Sequence, residues 1–250
     1  MPAPQLRIAL VADLHACWPW MTTHHIGAIV DQTNALQVDL IVLLGDYAGH
    51  VWGSRPLNPA DVTRELSRLK APLGAHAIMG NHDWKDDAQA RRSRQGPTHW
   101  HHAFDAAGLS CLHNRTVQID VDGTSFTLAG LDSQRAFSNG LLKGFSGADD
   151  LPAIAPQLDP NQFTILLAHE PDIFPDLETH IDLTLCGHMH AGQISPFGRA
   201  LVAPSKFGTR YAYGLYKSGT RQMVVSGGLG YSGPPLRIGA PPEITLVEIQ

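Results

Sequence analysis

Five short polar motifs stand in order along the 250-residue chain: Asp13-Leu14-His15, Gly45-Asp46, Gly80-Asn81-His82-Asp83, Ala168-His169-Glu170 and Gly187-His188-Met189-His190. Their imidazole, carboxylate and amide groups are ligands for borderline to hard divalent metals, and they include no soft thiolate. Asp13-x-His15 alone is weak, but His188 and His190 stand two apart in an extended segment and project to the same side. The set is large enough for a dinuclear centre. In such centres the metals sit roughly 3.5–4 Å apart and clamp the attacking and leaving oxygens of an in-line displacement. That geometry needs a bridging carboxylate, and Asp46, on a central strand, is the candidate. Two divalent ions are therefore expected, manganese first, with iron, zinc, cobalt and nickel also suited to the donors.

The elements before the motifs explain why they can meet. Leu6 to Leu14 is a near-continuous apolar run, the mark of a buried strand, ending on Asp13 and His15. Asp39 to Leu44 and Gly74 to Met79 read as two more strands, with helices at Thr22 to Leu36 and from the Asn58-Pro59 N-cap pair between them. Phe163 to Ala168 and Ile181 to Cys186 are further buried strands, each closing on a histidine motif. The alternation predicts an α/β chain whose strands deliver ligands at their C-terminal ends, where open α/β sheets place their sites. A helix is expected over Thr98 to Ala107, with Trp100, Ala103, Phe104 and Ala107 inward. A hairpin is expected at Asp122-Gly123, a loop with a short helix near Leu151 over residues 138–160, a second hairpin around Lys217-Ser218-Gly219, and a last strand from Ile244 to Ile249. No linker divides the chain, so residues 1–250 read as one domain.

With these motifs in this order, the chain resembles the calcineurin-like metallophosphoesterases over essentially its whole length. The segment Gly187 to Ile194 and the tail from Gly227 to Ile244, with its Pro242-Glu243-Ile244-Thr245 run, resemble the bacterial YkuE-type branch. The resemblance implies a four-layer fold, a two-sheet β-sandwich flanked by helices with the metals at one sandwich edge. It implies that Asp13, His15 and His190 hold one metal, Asn81, His169 and His188 the other, and that Asp46 bridges them. His82 would protonate the leaving oxygen or stabilise charge on the phosphoryl group, with Asp83 orienting its ring. Hydrolysis of a phosphate ester or anhydride by a metal-bridging hydroxide follows, with a phosphodiester or nucleotide-type pyrophosphate as first choice of small-molecule substrate. A phosphomonoesterase and a pyrophosphohydrolase of the UDP-diacylglucosamine type are alternatives, as is a non-catalytic scaffold, although such scaffolds generally lose a ligand or the catalytic His. The branch usually reads Gly-His-Thr-His-Gly-Gly-Gln, and Met189 and Ala191 depart from it. Gly49 stands where purple acid phosphatases carry a Tyr ligand, and Asp83 where protein phosphatases carry Glu.

Bulk properties narrow the field. Hydrophobic residues make up 43% and charged residues 16%, as in an ordinary folded protein. A net charge of −5 argues against a nucleic-acid partner, since phosphate-backbone binding needs clustered Lys and Arg. The one basic run, Arg91-Arg92-Ser93-Arg94, reads as a solvated face. Cys17, Cys111 and Cys186 are too few and scattered for a disulfide framework, which suggests a reducing, cytoplasmic setting. No run approaches the roughly 20 apolar residues of a membrane span, and a strand starting near Leu6 leaves no room for a signal peptide. His99, His101 and His102 read as a surface cluster, His101 pairing with Asp105, and His24 and His25 as equally bland. His50, Trp52 and Trp84 are candidates for the pocket wall. Arg210, Tyr211 and Tyr213 could bind phosphate or a base, or serve the core or rim, and Cys186 reads as a small buried hydrophobe.

Overall fold

The computed structural model describes residues 3–121, 123–140, 143–177 and 180–250. Eleven strands of the two main sheets follow in chain order: β1 Leu6–Val11, β2 Leu40–Leu43, β3 Ala75–Ala77, β4 Ser110–Cys111, β5 Arg115–Val121, β6 Thr124–Gly130, β7 Thr164–Leu167, β8 Leu183–Cys186, β9 Gly214–Ser218, β10 Arg221–Val225 and β11 Thr245–Ile249. The first sheet has the order β11-β1-β2-β3-β4 and the second β9-β10-β8-β7-β6-β5. β1, β2, β3 and β4 are mutually parallel, and so are β6, β7, β8 and β10, while β5, β9 and β11 close edges in antiparallel pairing. Asp122 of the expected hairpin turn and residues 141 and 142 of the expected loop lie outside the described residues.

The alternation of side chains builds the layers. Ile8, Leu10, Leu40 and Val42 point into the sandwich against Phe126, Leu128, Ile165, Leu167 and Leu185 of the second sheet. Their neighbours Ala9, Val11, Ile41 and Leu43 point the other way, onto α1 (Thr23–Ala35) and α2 (Pro59–Leu66). Burying each such aliphatic side chain contributes roughly 1.5–3 kcal/mol. A slip of one residue would exchange the two faces, so the apolar pattern fixes the register and, with it, the place of each strand end. On the far side of the second sheet, Leu166, Met223 and Val225 pack against Ile173, Phe174 and Tyr211. The fold is thus a mixed α/β, two-sheet sandwich flanked by helical segments.

The helices begin where their caps dictate. Asn58 Oδ1 accepts the Ala60 N–H at 2.9 Å ahead of Pro59. α3 (Asn81–Asp86) opens immediately after the third strand, so the Asn-His-Asp motif forms a helical first turn rather than a strand tail. Next come α4 (Ala88–Ser93), α5 (His99–Ala106) and a short α6 (Leu151–Ile154). In α5 the inward face is Trp100, His101 and Phe104. His101 does not lie on the surface paired with Asp105. It is buried, its Nε2 3.2 Å from Asp132 Oδ1, and Asp132 also holds His113 and Asn114. His99 bonds Asp86, and His102 is exposed.

Candidate metal centre

The parallel strands end on one edge of the sandwich, and there all seven expected ligands meet. β1 leads to Asp13 and His15, β2 to Asp46, β3 to Asn81, β7 to His169, and β8 to His188 and His190. Asp13, His15 and His190 present ligand atoms within 4.8 Å of one another, and Asp46, His169 and His188 do the same. Asp46 Oδ2 stands 3.2 Å from His169 Nε2 and 3.6 Å from His15 Nε2, between the two sets. Its Oδ1 accepts the His82 backbone N–H at 2.7 Å, which fixes the carboxylate in that position.

The backbone is strained here. Asp13, His15, Asp46, His188 and His190 have φ between +47° and +70°, the left-handed region. That conformation costs of order 1–3 kcal/mol at a non-glycine residue and persists where the surroundings over-determine it, characteristically at functional sites. Ala191 shares it at φ +51°, where the YkuE-type pattern has an unstrained glycine. Two glycines permit the close approach of the motif loops. Gly45 has φ +90°, and a Cβ at Gly80 would come within 2.8 Å of the His169 ring.

Three imidazoles are aimed by their outer nitrogen. His15 Nδ1 donates to the Ala48 carbonyl (3.1 Å), His169 Nδ1 to that of Leu44 (2.6 Å) and His188 Nε2 to that of Pro204 (3.1 Å). Each leaves its second nitrogen facing the centre, the tautomer control typical of metal-ligating histidines. His190 differs: its Nδ1 accepts from Arg237 Nη2 at 3.0 Å, so a cation taken at its Nε2 has a proton to displace.

The donor set fits metal ions. His15 Nε2 lies 3.1 Å from His190 Nε2, and His188 Nδ1 3.3 Å from His169 Nε2, each pair sharing a proton in the place a cation would take. Asn81 Oδ1 is buried with no hydrogen-bond partner. An orphaned acceptor costs about 1–3 kcal/mol unless something binds it.

The electrostatics point the same way. Burial pushes His15 down to about 4 and His188 and His190 well below the usual imidazole range, so these three rings are neutral before any metal arrives. Burial also pushes the Asp13 carboxyl up, while His169, despite burial that lowers it, is raised well above its ordinary value by Asp46. Asp46, which burial alone would raise, is held well below the carboxylate range by His169 and His82. In the metal-free protein His169, and below about pH 7 Asp13, therefore carry protons that ligation must remove. Because both values are raised, those protons are held below them and shed above them. Metal affinity is expected to climb from the ordinary carboxylate range upward, levelling off only above the raised value of His169. Calorimetric titration of Mn²⁺ in two buffers of different ionisation enthalpy should show proton release at pH 7; buffer-independent heats would contradict it.

Asp83 does not orient the His82 ring. Its Oδ1 accepts the N–H groups of Tyr47 and Ala48, and its Oδ2 those of Asp46 and Gly80, all at 2.8–2.9 Å. Burial and the Asp46 charge push its carboxyl up, and these N–H bonds pull it back. His82 itself lies at the cavity edge, Nε2 4.0 Å from Asp46 Oδ2, with a buried Nδ1 that has no partner.

A cavity of about 510 Å³ opens over the centre, reaching Asp46, Asn81, His82 and His188. Lys85 and Arg135, which no sequence motif flagged, supply its cations, and Ile194, Leu201 and Val202 an apolar wall. The aromatic candidates divide. His50 lies tilted against His82 with ring centroids 5.2 Å apart, Trp52 is largely solvent-exposed, and Trp84, on the motif helix, is buried in the core. Tyr211 is a core residue, Tyr213 bonds Glu243, and Arg210 is exposed, none of them lining this cavity. Arg91, Arg92 and Arg94 are exposed, and the three thiols are buried. Among the described residues no helix is long and apolar enough to cross a membrane.

Comparison with known proteins agrees with this geometry. Residues 6–192 match the family model for calcineurin-like phosphoesterases. An uncharacterized metallophosphoesterase of Helicobacter pylori is 31% identical over 98% of this chain and 60% of its own length. The Bacillus subtilis metallophosphoesterase YkuE is 28% identical over 98% of this chain and 79% of its own. The chain spans 48–60% of the length of several curated relatives it matches. In fold it resembles the Haemophilus influenzae NAD nucleotidase, with a TM-score of 0.53 and 13% identity over 89% of this chain and 44% of that one. The chain belongs to the calcineurin-like phosphoesterase family.

Proposed function

We propose that the chain is a dinuclear metal-dependent phosphoesterase that hydrolyses phosphodiesters or nucleotide-type pyrophosphates. The observation that carries this reading is the meeting of two ligand sets on either side of Asp46, open to a cavity edged by His82. Asp13, His15 and His190 would hold the first metal and Asn81, His169 and His188 the second, with Asp46 shared. Both sheets supply ligands, which supports treating residues 1–250 as one domain. When bound, the two metals would polarise the phosphoryl oxygens and lower the pKa of attacking water.

The chain's own groups do the rest. The strained loops pre-position the ligands, so little ordering is left for the moment of reaction. Burial pushes His82 down to about 3, so its ring is neutral in the free protein. It meets the substrate as an N–H donor to a phosphoryl or leaving oxygen, and takes a proton only when the substrate's negative charge stands beside it. Lys85 and Arg135 add positive charge to a cavity that binds an anion.

The test is metal removal. Chelator-stripped protein should be inactive and should regain cleavage of bis-p-nitrophenyl phosphate, above that of p-nitrophenyl phosphate, on addition of Mn²⁺. Preference for the monoester would make the protein a phosphatase. Two bound metals without turnover of either ester, whatever the ion, would favour a non-catalytic scaffold.

A further inference from the structure

Four cations of this protein are held by a neighbouring carboxylate. Arg7, Arg64, Arg68 and Lys206 each pair with a carboxylate. Lys85 and Arg135 do not: among the described residues neither enters an ion pair, although both are partly buried and both line the cavity over the centre. Asp46 and Glu170, whose charge acts on Lys85, are committed elsewhere. Asp46 holds the His82 N–H, and Glu170 accepts from Ser133 Oγ (2.5 Å) and the Gln134 N–H (2.9 Å). The Glu170 bonds fix the loop that carries Arg135.

The two cations sit together and to one side. Lys85 Nζ lies 5.0 Å from the Phe145 ring centroid, and Arg135 Cζ lies 4.4 Å from the same centroid. Arg135 Nη1 donates to the Pro204 carbonyl at 2.8 Å, and His188 Nε2 donates to that same oxygen at 3.1 Å. Arg135 is thereby tied to the ligand set of His169 and His188. Lys85 follows Asn81 by four residues and His82 by three, so it shares their face of α3. Both cations therefore stand on the Asn81–His188 side of the centre, and the Arg135 Nε is buried with no partner. Among the described residues the cavity lining holds no other Lys or Arg, and Ile194, Leu201 and Val202 give it apolar surface.

We propose that Lys85 and Arg135 form a second anion site, and that the substrate carries a second phosphate joined to the one attacked. It is then a phosphoanhydride of the nucleoside-diphosphate-ester type rather than a simple diester. This rests on the hydrolytic reading above and narrows it. One water is consumed: its oxygen bonds the attacked phosphorus, and the P–O bond of the anhydride breaks. The bridging oxygen leaves with the electron pair on the second phosphate, and the two hydrogens of water end on the two phosphomonoesters. The leaving phosphate gains negative charge as the bond breaks, and two partly buried cations beside it stabilise that gain.

Lys85→Met and Arg135→Met, with metal content counted in each, test the site. Removing one charge-assisted contact, about 1.5–3 kcal/mol, should lower the ratio of kcat/KM for ADP-ribose to that for bis-p-nitrophenyl phosphate by roughly 10–100-fold. Equal losses on the two substrates would assign the cations to the attacked phosphoryl and overturn the proposal, as would no loss on either. A second readout needs no turnover. The calorimetric affinity of metal-loaded protein for imidodiphosphate should exceed that for orthophosphate, and the excess should shrink in both variants. An excess that both variants retain would overturn the anion site. If wild-type protein cleaves neither substrate yet loses that excess on substitution, the hydrolytic reading fails and the anion site stands.

Discussion

Asp46→Asn should leave the chain folded, with fewer than two metals bound and no measurable turnover, while His82→Ala keeps its metals and loses roughly 10²–10⁴ in rate. The contrast comes from what each atom does. In the Asn variant the amide oxygen can still accept the His82 N–H, now met by Asp46 Oδ1 at 2.7 Å, so the loop keeps its anchor. The amide nitrogen then replaces Oδ2, the atom standing 3.2 and 3.6 Å from the His169 and His15 nitrogens. A neutral N–H₂ offers no lone pair to a cation, and the charge that balances both sites is gone. His82 contributes only its backbone N–H to that anchor, which Ala retains, so its ring can be removed without touching the ligands. Metal analysis of the purified variants together with kcat/KM on a diester separates the two. An active Asp46→Asn protein with two metals would remove Asp46 from the bridging position, and a fully active His82→Ala protein would remove His82 from the reaction.

The candidate ligands were legible because they obey a rule that survives translation into three dimensions. An apolar run long enough for a buried strand puts its next polar residues at the strand's C-terminal end, and parallel neighbours put those ends side by side. Asp13, Asp46, His169, His188 and His190 all follow that rule, and Asn81 follows it with the added twist that its strand passes directly into α3. What escaped depends on contacts between loops, which no local period encodes. His101 sits between Trp100 and Phe104 on α5 and reads as polar surface. It is buried because Asp132, 31 residues away, receives its Nε2. Lys85 shares a helix face with His82, a signal that spacing alone could have given, whereas Arg135 belongs to a loop placed by Glu170 and shows no pattern of its own. The expected orienting role of Asp83 failed for the same reason: four donors from two separate loops converge on it.

Asp83→Ala should therefore act on stability before it acts on chemistry. The carboxylate gathers the N–H groups of Asp46, Tyr47 and Ala48 and ties them to Gly80, holding the bridging loop against the start of α3. All of these groups are buried, so its loss strands four donors that no water reaches. Leaving a buried donor unsatisfied typically costs about 1–3 kcal/mol, so stranding several takes about 3–5 kcal/mol from the roughly 5–15 kcal/mol that holds a protein folded. For a chain of this length that corresponds to a fall of roughly 6–20 °C in Tm. Asp83→Asn retains one acceptor oxygen and should lose less, although its amide N–H₂ must face two N–H donors. Metal-free protein is the right sample, because bound metal would stabilise the fold by linkage and hide part of the loss. A metal-free Tm equal to that of the wild type would show that the clamp is dispensable. In that case the left-handed conformation of Asp46 must be imposed by something other than Asp83.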